Sequence, residues 1–184
     1  MSSGDTPSEP TEQQPEGRGQ PTPYGQPGEY VPCSSCMSPL FDRSYSATSD
    51  VVIYRHAALE PIAVTGWPVI SNVGEMSFAE VLAFLASGHH VLTNSYHGVY
   101  WSVLLGRKAL LYEPWCSKFQ MLRYAVPVCD RRDWREKLGQ SSVHPGALAE
   151  CRALNLRFAA KVFGAIDEEI GRRRAGVGPG PSRG

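Results

Sequence analysis

Residues 91–112 read Val91-Leu-Thr-Asn-Ser-Tyr-His-Gly-Val-Tyr-Trp-Ser-Val-Leu-Leu-Gly-Arg-Lys-Ala-Leu-Leu-Tyr112. An apolar run ends in Thr93-Asn94. A polar turn with Ser95 and His97 follows at once, then an apolar segment, Gly106 and a second apolar run. His90-Val-Leu-Thr93 and Lys108-Ala-Leu-Leu-Tyr112 have the length and boundaries of buried strands, the second closed by Pro114. Residues 95–105 between them are long enough for a helix, with Gly106 as its C-terminal stop. Strand, helix and strand joined by short connectors form the unit from which parallel sheets are built.

The flanking sequence continues the pattern. Asp50-Val-Val-Ile-Tyr-Arg-His56 reads as a buried strand, and Gly66-Trp-Pro-Val-Ile-Ser71 as another, with Pro68 placing it at a strand start or a sheet edge. Ser77-Phe-Ala-Glu80 has the spacing of a capping box, and Phe78, Val81, Leu82 and Leu85 recur at helical intervals up to Gly88, expected to stop that helix. Residues 131–138 predict a short helix. Pro145 is expected to open a long one, with Leu148, Cys151, Leu154, Leu156, Phe158, Val162, Phe163, Ile166 and Ile170 as its apolar face. The expected fold class is α/β: a Rossmann-like three-layer domain on a parallel sheet with helices on both sides. No G-x-G-x-x-G turn occurs, so a dinucleotide fingerprint is not supported.

Composition divides the 184 residues unevenly. Residues 1–29 hold six Pro and five Gly, no Val, Ile, Leu, Phe, Trp or Cys, and a net charge of −4, too little apolar surface to offset ordering entropy; they are expected to be a disordered tail. Residues 30–174 form the expected domain, and 175–184, rich in Gly and Pro, a second disordered tail. Lys+Arg and Asp+Glu both number 18, which argues against nucleic acid as a partner because phosphate binding shows as a basic excess. No apolar run approaches the roughly 18 residues of a membrane helix, and no secretory signal pattern opens the chain. Five cysteines do not make a fully paired framework, so a reducing, cytoplasmic setting is expected.

Ligands of parallel α/β sheets bind outside the carboxyl ends of the strands, where Asn94, Ser95 and His97 fall. Amide groups at the helix start favour an anion such as a phosphate or carboxylate. Ser95 can add a hydroxyl donor, and Gly98 permits close approach of a ligand or a neighbouring segment. His97 can donate a proton near neutral pH or hydrogen-bond a ligand. The same residues have a purely structural reading: Asn94 or Ser95 is a good N-cap, and a first-turn histidine can be a satisfied, partly buried side chain. Cys33-Ser-Ser-Cys36 has no second ligand pair for zinc and no strand-to-helix context for redox chemistry, so it reads as a loop packed on the domain. His56 faces the same sheet edge as His97. His89, His90, Tyr100 and Trp101 read as structural, and no metal site or cofactor is expected.

The segment VLTNSYHGVYWSVLLGRKALLYEPWCSKF, residues 91–119, resembles the C-terminal part of the polysaccharide pyruvyl transferase family, and VPCSSCMSPLFDR, residues 31–43, resembles a segment found upstream in bacterial relatives. The resemblance spans Val31–Tyr124. It implies one half of a GT-B fold, the glycosyltransferase-related architecture of two Rossmann-type halves, and a cytoplasmic role in polysaccharide biosynthesis. His97 matches the family histidine, implied as general acid or donor contact, and Gly98 the glycine that follows it. Asn94, Ser95 and Tyr96 complete the implied donor site at the strand-to-helix turn. Ser95 stands where the family carries an arginine. A hydroxyl lacks the bidentate cationic grip on a carboxylate, so a nucleotide-sugar fits as donor at least as well as phosphoenolpyruvate. Glu113 and Lys118 match positions implied for a ribose-binding carboxylate and a phosphate-binding cation. The implied reaction moves a sugar or pyruvyl group to a glycan acceptor. The acceptor half is expected from a partner domain, a partner subunit or a homodimer; the alternative is a non-catalytic or truncated half-domain that keeps the fold as a binding module.

Overall fold

A computed structural model describes residues 29–176. Contacts divide the chain into two units, Met1–Tyr30 and Val31–Gly184, and the elements below belong to the second. The expected tails, 1–29 and 175–184, lie almost wholly outside the described residues.

Five parallel strands make one sheet: β1 (Ser49–Arg55), β2 (Val69–Ser71), β3 (Gly88–Thr93), β4 (Lys108–Tyr112) and β5 (Val128–Cys129), in the spatial order β2-β1-β3-β4-β5. This is one of the two common doubly wound orders. β3 is the central strand. It pairs with β1 through Val52↔Val91 and Ile53↔Leu92, and with β4 through Val91↔Ala109 and Leu92↔Leu110. Burial on both faces explains why these strands are continuous apolar runs rather than alternating ones.

Val52, Tyr54, Val91, Ala109 and Leu111 face one layer, made by α1 (Phe78–Ala86), α2 (Tyr96–Leu104) and the start of α4 (Ala147–Arg174). Val51, Ile53, Leu92, Leu110 and Tyr112 face the other, where Trp134 of α3 (Trp134–Leu138) packs with Ile62 and Val64. The structure is therefore the expected three-layer α/β fold. Among the described residues, no helix is long and apolar enough to cross a membrane.

α1 stops at its C-cap Ser87, immediately before Gly88 as expected, and Gly88 also opens β3 against Val52. One local expectation is corrected. Pro145 lies outside α4, because Gly146 adopts φ 82° and the helix starts after it. β1 and β2 are joined by an irregular segment that buries Ile62 and Val64, where the sequence pattern shows no period at all. The capping box of α1 is present, with Glu80 accepting from the Ser77 amide at 2.7 Å.

α2 sits directly on β3 and β1 because Gly98 has no side chain. A Cβ there would meet the Thr93 hydroxyl and lie 2.7 Å from the Tyr54 ring. Gly98→Ala is expected to lower stability by about 1–3 kcal/mol by overpacking, despite the helix propensity gained. Thermal unfolding checks this, and Thr93→Ala, by removing the nearest obstacle, should recover part of the loss in the double variant.

Candidate functional site

The strand order reverses between β1 and β3: the chain leaving β1 goes outward to β2, and the chain leaving β3 goes the other way to β4. Such a switch point opens a crevice at the carboxyl ends of the strands. Asn94 closes its floor. Its Oδ1 accepts from the His56 amide at 2.7 Å, and its carbonyl accepts from Trp115 Nε1 at 3.1 Å. One buried residue thus ties the ends of β1 and β3 to the loop after β4.

Ser95 is the N-cap of α2. Its hydroxyl accepts from the Gly98 amide at 3.4 Å, and its own amide donates to Thr93 Oγ1 at 3.0 Å. Asn94 and Ser95 are buried, at 4 % and 5 % exposure. Of the two cap candidates, Ser95 caps α2 and Asn94 does not, its carboxamide holding the end of β1 instead; Gly98 is explained by the approach of Thr93 and Tyr54.

The half-buried side chains at the mouth are different. His97 lies against Trp101, with ring centroids 4.9 Å apart and nearly parallel, and meets Tyr96 edge-on at 5.6 Å. No group among the described residues hydrogen-bonds its ring nitrogens. Desolvation lowers its pKa below the ordinary histidine value, and the positive charge of Lys118 lowers it further. The imidazole is therefore neutral at pH 7. Lys118, in the 3-10 turn Ser117–Met121, sets its ammonium 4.8 Å from the centre of the Tyr96 ring. His56 and Trp115 lie with ring centroids 5.4 Å apart, and Trp115 is 51 % exposed.

Glu113 and Lys118 are not brought together. Glu113 ends β4 in the left-handed region at φ 42°, a conformation costing about 1–2 kcal/mol for a residue with a Cβ. Its carboxylate acts toward β5: burial raises the Tyr112 phenol and pushes the Cys129 thiol up to about 12, and Glu113 adds to both. Sequence reasoning gave no role to Trp115. The only signal was its place just past a strand end, after Pro114. Trp101, assigned to the core, is only half-buried, and its indole donates to Ser35 Oγ at 3.0 Å.

Elsewhere, Cys33 and Cys36 sit at a 3-10 turn against α4, and all five cysteines are free thiols. His90 bonds the Asp50 carbonyl through Nδ1. No group of three or more His, Cys, Asp or Glu side chains among the described residues is placed to hold a metal ion. Compared with known protein families, curated proteins and solved structures, the chain matches none.

Asn94→Ala would leave the His56 amide without its acceptor. A loss of about 1–3 kcal/mol is expected in urea unfolding, and a smaller loss in Asn94→Asp, which keeps an oxygen there. The His97 midpoint in an NMR titration should fall below 6.5 and rise in Lys118→Glu, because a carboxylate favours the imidazolium that the ammonium disfavours.

Proposed function

We propose that the chain binds a phosphate-bearing donor at the β1/β3 switch point, as the donor half of a transferase resembling the polysaccharide pyruvyl transferases and glycosyltransferases. The observation that carries this reading is the reversal of strand order between β1 and β3, with His56, His97, Trp115 and Lys118 on the segments that follow β1, β3 and β4. Ligands of doubly wound sheets bind at that point.

A nucleotide-sugar is the donor class that these residues fit best. The exposed Trp115 ring offers a face on which a base can stack. The Lys118 ammonium, over the Tyr96 ring, can meet a diphosphate. Phosphoenolpyruvate has no ring to engage Trp115, and Ser95 cannot grip its carboxylate.

His97 enters this reading as a hydrogen-bonding contact in the free protein, because burial and Lys118 keep it neutral. A bound phosphate reverses the electrostatics: an anion beside the ring raises its pKa and draws a proton onto it. The protonated ring could then assist departure of the donor's leaving group. A second reading, a module that binds the donor without turnover, is favoured by one observation. No carboxylate among the described residues is bonded to His97 to orient it as a catalytic acid.

Thermal stabilisation by UDP, GDP, CMP, dTDP and phosphoenolpyruvate tests the proposal. A ligand at 100 times its dissociation constant contributes about 2.7 kcal/mol, a shift of several degrees. The shift is expected with a nucleotide and should shrink in Trp115→Ala and His97→Ala. Affinity should rise from pH 8 to pH 6 in the wild type and lose that dependence in His97→Gln, because binding takes up a proton at His97. No shift with any of the five overturns the reading. Nucleotide binding without sugar transfer to a glycan acceptor selects the non-catalytic module.

A further inference from the structure

The first turns of α4 are anchored. Ala147 and Cys151 are buried, Arg152 bonds Asp42 and the carbonyls of Cys36 and Ser38, and Asn155 bonds the Pro32 carbonyl. The same stripe then runs on without a cover. Phe158, Val162, Ile166 and Ile170 follow at four-residue intervals, and Phe163 flanks them. They are 44 %, 40 %, 46 %, 43 % and 66 % exposed. At 1.5 Å per residue, the helix beyond residue 158 extends about 24 Å with this face open. Sequence reasoning identified the apolar face but not that most of it would remain uncovered.

We infer that this face is a self-association surface, on which a second copy of the chain lays its own α4 antiparallel. The segments of the 184 residues outside the described part, 1–28 and 177–184, contain no Ile, Leu, Phe or Trp and a single Val, so they lack the side chains to cover it. At about 150–250 Å² per large side chain, the five exposed residues and the neighbouring Leu156 present about 500 Å² per copy. Two copies therefore bury about 1,000 Å² from these residues alone, the lower bound for a specific interface.

Charge sets the direction. In a parallel pair, the Arg172–Arg174 triplets would lie side by side, and so would the carboxylates of Asp167, Glu168 and Glu169. An antiparallel pair centred near Ala165 separates the arginine triplets to opposite ends of the contact. The three carboxylates within these turns also oppose the other use of an apolar helix face, lying on an anionic bilayer. No residue of the switch-point crevice lies on α4, so this inference stands apart from the donor reading.

Sedimentation equilibrium of the full chain from about 1 to 200 µM tests it. The mass should rise from 20.2 kDa toward twice that value. Phe163→Glu/Ile166→Glu, at exposed positions, should keep the circular dichroism spectrum and stay monomeric throughout. A wild type that remains at 20.2 kDa overturns the inference, as does a dimer that survives the double glutamate variant. Binding to phosphatidylserine vesicles without self-association overturns it in favour of a membrane surface. Disulfide linking of two Arg174→Cys chains under mild oxidation, absent in the wild type, overturns the antiparallel direction.

Discussion

The structure depends on the two-sided burial of β3. Val91 and Leu92 are adjacent, face opposite layers, and are both fully buried. Each lies in register with a residue of the strand on either side. Replacing either by a polar side chain would bury a group with no partner, at a cost of about 1–3 kcal/mol or more. Because all neighbours of β3 run parallel to it, every connection must cross over a face of the sheet. That requirement places α1 and α2 on one layer and leaves the carboxyl ends of the strands at a common edge.

The crevice inherits its shape from that edge. The residues that cap α2 and close the floor are committed to the fold, and those that rim the mouth are not. Asn94 spends its carboxamide oxygen on the backbone of His56, and Ser95 spends its hydroxyl on the first turn of α2. His97 keeps ring nitrogens with no hydrogen bond among the described residues, and Trp115, its indole N–H held by the Asn94 carbonyl, keeps an exposed ring. The aromatic planes and the Lys118 ammonium thus stand on a frame held by the buried polar pair.

The two layers over the sheet are unequal. One has two helices and the beginning of a third. The other is a short helix and an irregular segment whose Ile62 and Val64 reach inward. α4 belongs to the thick layer for only its first turns. Beyond Asn155 it leaves the body with its apolar face intact, so the helix is held by packing at one end and by local bonds, such as Glu169 to Arg172 and Arg173, at the other.

Much of this was written in local sequence. The strand runs, the capping box at Ser77 and Glu80 and the strand–turn–helix at Asn94 depend on residues within one or two turns of one another, so periodicity and side-chain chemistry suffice to read them. β5 was not legible, because two residues carry no period and exist as a strand only through pairing with Leu111 and Tyr112. Nor was the loop between β1 and β2, whose buried residues are apolar only where the opposite layer is thin. At the site, His97 and its turn could be named in advance. The commitment of Asn94 to His56, 38 residues away, and of Trp115 to Asn94, could not. The sequence by itself determined the buried runs of β1, β3 and β4 and the starts of α1 and α2, because those are local free energies. Strand order, the partners of the polar atoms at the crevice, and which part of the α4 face is covered were decided only by the tertiary structure, because each depends on which distant surfaces meet.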